Sequence, residues 1–90
     1  IQDYLSAWCF GDFYTRGGIS VKDRELLTFS ILCAQGGCEP QLTSHAGANM
    51  RIGNDKVFLI QIISQCLPYI GYPRSLNALR CVNDAAQAAR

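Results

Sequence analysis

The chain has 90 residues, of which 49% are hydrophobic and 17% are charged, so it is too apolar for a disordered protein and long enough for one domain at most. Its net charge is +1 and its eight Lys and Arg residues are scattered, which argues against a nucleic-acid-binding face. The most apolar stretch, residues 57–70, is interrupted by polar residues and Pro68, so we expect no membrane span.

Glycines divide the chain into five segments with helical periodicity, which predicts an all-α bundle of about five helices. The first segment covers residues 2–14. The second begins at Ser20, which opens a variant of the capping box, and it ends just before Gly36. The third begins near Pro40, a residue favoured at the first helical position, and stops at Gly53.

The fourth segment starts at Asn54 or Asp55, both good N-caps, and Pro68 is expected to kink or end it. Its many β-branched residues make a strand the competing interpretation, but its polar residues recur every three to four positions, which favours a helix. The fifth segment follows Pro73 and ends in an alanine-rich stretch.

The apolar content is high for so short a chain, so we expect a homo-oligomer in which a neighbouring subunit covers part of the fourth segment. The five cysteines are odd in number and lack the spacing of a disulfide framework, which indicates the reducing cytoplasm. We expect a single domain over residues 1–90. The chain begins at Ile1 without an initiator Met, so it could be the ordered part of a longer polypeptide.

Cys38 and the only imidazole, His45, lie seven residues apart just after a glycine pair. On a helix, Cys38, Gln41 and His45 would share one face. A helix N-terminus and a nearby imidazole both stabilise a thiolate, so a thiol in this position is suited to redox chemistry. The alternative is structural: a small buried cysteine, and a core histidine with one hydrogen bond.

Glu25 heads an apolar stripe of its helix, where a carboxylate suits proton transfer near neutral pH, although a first-turn Glu can also simply stabilise the helix dipole. Asn49 lies one turn after His45 and could orient the imidazole. We expect no metal site, because the further paired Cys or His ligands of a zinc site are missing. Four residues are candidates for contacting a small anionic substrate, with solvated side chains as the alternative for the arginines: Arg16, Arg24, Asn49 and Arg74.

Four stretches occur together in one order: residues 20–28, residues 38–45, Gly53 and residues 71–79. From about residue 10 to residue 85, the chain resembles the carboxymuconolactone decarboxylase family. The resemblance implies the all-helical fold of alkylhydroperoxidase D and assembly as trimers or hexamers with sites at or near subunit interfaces. We expect an enzyme that uses no cofactor.

The resemblance also implies two possible chemistries. In the decarboxylase branch the substrate is a small lactone carboxylate, and loss of carbon dioxide leaves a carbanion that His45 or Glu25 could protonate. In the alkylhydroperoxidase branch, a Glu, a Cys-x-x-Cys pair and a His form a proton relay and a redox dithiol. Glu25, Cys38 and His45 match three of these positions, but Gln41 replaces the second cysteine, which favours the decarboxylase branch.

Two alternatives remain open. One is a thiol-dependent peroxidase, an antioxidant activity of the peroxiredoxin type, in which Cys38 attacks peroxide with the help of His45. The other is a non-catalytic oligomeric binding subunit that keeps the family fold.

Overall fold

The computed structural model describes residues 18–88, which form three helices: α1 (Val21–Gln35), α2 (Glu39–Arg51) and α3 (Lys56–Ala88). No strand occurs within this part of the chain, so the all-α prediction is confirmed, including the apolar fourth segment. The predicted helix over residues 2–14 lies outside the described residues. The count of five helices therefore stays a prediction.

The two ends of α1 lie where the local signals predict. Ser20 is the N-cap, and its Oγ accepts the backbone N–H of Asp23 at 3.1 Å. Gly36 ends the helix with φ 75°, and its N–H donates to the carbonyl of Leu32. A positive φ is strained for residues that carry a Cβ, so glycine is the natural residue at this position.

The starts of α2 and α3 also follow the predicted signals. Pro40 lies in the first turn of α2, where its missing N–H has no helical partner to lose. Gly53, with φ 105°, turns the chain after α2. Of the two predicted caps for α3, Asp55 takes the role, because its Oδ1 accepts a backbone N–H of the first turn at 2.9 Å. Asn54 is buried and bonds elsewhere.

The kink or end expected at Pro68 does not occur, whereas the glycine that separates the fourth and fifth predicted segments, Gly71, does break the helix. The helix continues through Pro68 and is interrupted at Gly71, which has φ 85° and ψ 167°. Only glycine adopts this region readily, so the chain changes direction there. Pro73 lies in the first turn of the second half of α3, where proline is tolerated, and Ser75 Oγ donates to the Gly71 carbonyl at 2.8 Å.

Each of the three helices packs against the other two, and one hydrophobic core lies between them. None of the described helices is long and apolar enough to cross a membrane. Among residues 18–88, ten buried residues form this core: Phe29, Cys33, Leu42, Ala46, Leu59, Ile63, Ala78, Cys81, Val82 and Ala85.

Candidate functional site

The structure brings Glu25 of α1 and His45 of α2 into direct contact. Nδ1 of His45 lies 2.9 Å from Oε2 of Glu25, and the two side chains are 24% and 11% exposed, respectively. A carboxylate partner on Nδ1 holds the imidazole in one orientation and favours a proton on that nitrogen, since a carboxylate only accepts hydrogen bonds. Nε2 is then the nitrogen available to exchange a proton with a ligand.

Asn49 was expected to orient the imidazole directly or to contact substrate, but the structure gives it a different position. It is fully buried, and its Nδ2 donates to the main-chain carbonyls of Glu25 at 3.0 Å and of His45 at 2.8 Å. Glu25, and not Asn49, bonds the ring. With no exposed surface, Asn49 is placed to hold the two helices together rather than to touch a ligand.

Cys38 does not lie on the helical face that its spacing from His45 suggested. It is the N-cap of α2, with φ −133° and ψ 44°, and its side chain does not cap the helix. Its thiol instead donates to the carbonyl of Leu32 in α1 at 3.4 Å. Thus Cys38 and His45 bond to different partners.

The expected stabilisation of the Cys38 thiolate is wrong in direction. Loss of solvent is the main cause that raises the pKa of this thiol above its ordinary value, and the nearby Glu39 and Cys81 raise it further. Because the thiolate is the nucleophile, a raised pKa makes Cys38 less reactive near neutral pH. In the core below, burial raises the pKa of the Cys33 thiol to about 12.

The three candidate arginines lie in different settings. Arg16 is outside the described residues. Arg24 is only 3% exposed, so little of it can reach a ligand from solvent. Arg74 is exposed and borders an open cleft of about 550 Å³, where it packs over the main chain of Gly36: a Cβ added there would lie 3.2 Å from Nε of Arg74.

Neither Glu25 nor His45 lines the cleft beside Arg74. Among the described residues, the chain therefore does not bring Glu25, His45 and Arg74 into a single cavity. Within residues 18–88, no group of three or more His, Cys, Asp or Glu side chains is arranged to hold a metal ion.

The residue patterns selected Glu25 and His45 separately, whereas the family resemblance placed them in one proton relay together with Cys38; the structure shows the direct contact between the two across 20 residues of chain. Sequence reasoning missed Asn54, which it treated only as a possible helix cap. Asn54 is 2% exposed, and its side chain bonds to Asn49 and to the main chain of α1. The available signal was the adjacent Asp55, which can cap α3 and leave Asn54 for another role.

Comparisons with known proteins agree with the resemblance in the sequence motifs. The sequence model of the carboxymuconolactone decarboxylase family matches residues 1–84. A 4-carboxymuconolactone decarboxylase from Acinetobacter baylyi is 30% identical over 83 residues, which are 92% of this chain and 61% of the relative. The chain thus spans about three fifths of the length of that enzyme.

Proposed function

We propose, since this chain belongs to the carboxymuconolactone decarboxylase family, that it decarboxylates a small lactone carboxylate by acid–base chemistry of its own side chains. The observation that carries the proposal is the 2.9 Å contact between Glu25 and His45. The pair joins two helices, is largely shielded from solvent, and keeps part of the imidazole accessible. The curated relative, itself named as a decarboxylase, supports the same reaction class.

The proposed step begins with cleavage of the bond between the carboxylate and the ring carbon of the substrate. Carbon dioxide leaves, and the electron pair of the broken bond stays on that carbon. Protonated His45 then donates its Nε2 proton to the carbanion and becomes neutral, while Glu25 keeps the ring oriented through Nδ1. A proton from solvent restores the imidazolium for the next turnover.

The peroxidase alternative would require a reactive thiolate at Cys38. The raised pKa of this thiol and its hydrogen bond to Leu32 leave that alternative without a specific supporting observation.

We also propose that the protein is a homo-oligomer and that assembly completes the site. Three large hydrophobic side chains close to Arg74 in sequence are exposed in the isolated chain: Tyr69, Tyr72 and Leu76. Burying them against a second subunit would remove apolar surface from water, and it would place Arg74 at or near the interface. Arg74 of one subunit would then bind the carboxylate of a substrate held at the Glu25–His45 pair of the other subunit.

The test of the function is turnover of 4-carboxymuconolactone and related lactone carboxylates by the wild type, His45→Ala and a control, Ser44→Ala. Ser44 is the exposed neighbour of His45 on α2, so its replacement should leave activity unchanged. Release of carbon dioxide and uptake of deuterium from heavy water at the product carbon would be followed together. We expect His45→Ala to lower kcat about 10²- to 10⁴-fold, the usual contribution of a general acid.

If folded His45→Ala turns over every active lactone carboxylate at the wild-type rate, the proposed mechanism is wrong. If the wild type turns over none of them, the proposed activity itself is wrong, and the non-catalytic alternative becomes the leading hypothesis.

A further inference from the structure

Two buried asparagines form a continuous chain of hydrogen bonds behind the Glu25–His45 pair. Asn49 is at the centre, and its two Nδ2 protons are donated to the main-chain carbonyls of Glu25 and His45. A single side chain therefore ties together the backbone positions from which both members of the pair project. Its carbonyl oxygen, Oδ1, is left to accept a bond.

Asn54 supplies that bond and fixes the orientation of the Asn49 amide. Its Nδ2 donates to Oδ1 of Asn49 at 2.9 Å and to the carbonyl of Lys22 in α1 at 3.2 Å. Its backbone N–H also donates to the Asn49 carbonyl at 2.9 Å. All four side-chain amide protons of Asn49 and Asn54 are thus used to join α1, α2 and the turn before α3.

The position of Asn54 is not explained by the start of α3. Asp55 caps that helix with its own carboxylate, so the Asn54 side chain is free to point inward. Gly53, with φ 105°, makes the turn that carries Asn54 back under α2. An ordinary loop asparagine would be exposed, whereas this one is buried with its amide protons bonded.

We infer that Asn54 is a positioning residue for the Glu25–His45 pair and acts through the amide of Asn49. Without the Asn54 donor, Oδ1 of the buried Asn49 loses its partner, and the Asn49 amide can turn away from the two carbonyls that it holds. The distance and angle between the carboxylate and the imidazole then vary. The expected loss of activity rests on the proposed function, but the expected change in the position of the imidazole does not.

The test uses the fact that His45 is the only histidine, so its ring nitrogens give an unambiguous nuclear magnetic resonance signal. We would record the ¹⁵N shifts of the imidazole in the wild type, in Asn54→Ala and in the control Asn83→Ala, a partly exposed asparagine on α3. With the ring neutral, at alkaline pH, we expect one tautomer with the proton on Nδ1 in the wild type and the control. In Asn54→Ala we expect shifts averaged between the two tautomers, and a kcat lower by about 10- to 100-fold with little change in KM.

A purely structural role for Asn54 predicts a different result: lower stability of Asn54→Ala with unchanged ¹⁵N shifts and unchanged kcat in the folded protein. That result would overturn the inference. If Asn54→Ala does not fold, Asn54→Leu, which is similar in size and has no donor, takes its place with the same two readouts and the same expected results.

A measurement on the wild type alone gives a further check. The side-chain amide protons of Asn49 and Asn54 should exchange with solvent much more slowly than those of Asn83, because each is buried and bonded. Exchange as fast as at Asn83 would refute the hydrogen-bond chain. If the tautomers are averaged in Asn54→Ala but the wild type has no decarboxylase activity, the proposed function is wrong. The inference that Asn54 positions the imidazole is then still supported.

Discussion

Replacing Glu25 by glutamine keeps the shape of the side chain and removes the charge that faces Nδ1 of His45. The hydrogen bond spans 2.9 Å and its acceptor is ionised, a class that contributes about 1.5–3 kcal/mol. The side chains are 24% and 11% exposed, so solvent weakens the interaction and the lower end of that range applies. Because the glutamine carbonyl can still accept this bond as a neutral group, about 1.5 kcal/mol is the upper limit of the loss, and it corresponds to at most roughly a tenfold change in the population of the correctly held ring.

We therefore expect Glu25→Gln to lower kcat by at most about tenfold if Glu25 only orients the imidazole. A loss of about 10²-fold or more would mean that Glu25 also transfers protons in the reaction. The assay is a double-mutant cycle of Glu25→Gln and His45→Ala, read by kcat and by the free energy of unfolding. In such a cycle the independent effects of the two substitutions cancel, and the remaining free energy is the interaction between Glu25 and His45.

The expected result is strong non-additivity: the double variant is no slower than His45→Ala alone, and the coupling in stability is at most about 1.5 kcal/mol. Additive losses in kcat, or a coupling energy near zero in the folded variants, would refute the conclusion that the two residues act as a pair.

Three further predictions concern the thiols and the break in α3. Cys38 should be alkylated slowly near neutral pH and quickly only at alkaline pH, because loss of solvent raises the pKa of its thiol above the ordinary value, and His45→Ala should not alter that profile. The free energy of unfolding should fall between about pH 9 and pH 12, because the pKa of Cys33 is near 9.0 in the unfolded chain and about 12 in the folded one. This part of the alkaline loss of stability should be missing in Cys33→Ala. Gly71→Ala should destabilise the fold by about 1–3 kcal/mol in urea, because alanine is strained at φ 85° and ψ 167°, whereas Gly47→Ala within α2 should not destabilise it.

Each of these predictions has an opposing outcome. A Cys38 alkylation midpoint below pH 8.5 that moves upward in His45→Ala would restore the thiol peroxidase hypothesis. If stability falls with rising pH in the same way in the wild type and in Cys33→Ala, ionisation of Cys33 is not the cause of the fall. Equal stability of Gly71→Ala and wild type would show that the break in α3 does not depend on glycine.

The helix boundaries were predictable because the signals that set them are local. Ser20 caps α1 through a residue three positions away, and Gly36 ends it through a carbonyl four positions back. Two breaks were predicted near residue 70: the one at Gly71 is confirmed, and the one at Pro68 is wrong. Proline weakens a helix, but the change of direction occurred at the glycine, where a positive φ carries little strain.

The sequence by itself determined the family, the all-α character and the two residues, Glu25 and His45, that are suited to acid–base chemistry. The tertiary structure decided their relations. In the folded chain, His45 contacts Glu25 and not Cys38. Asn49 lies behind this pair, and Asn54 bonds to the side chain of Asn49. Caps depend on neighbours three or four residues away, whereas partners across helices depend on how α1 and α2 pack, and no local pattern contains that information.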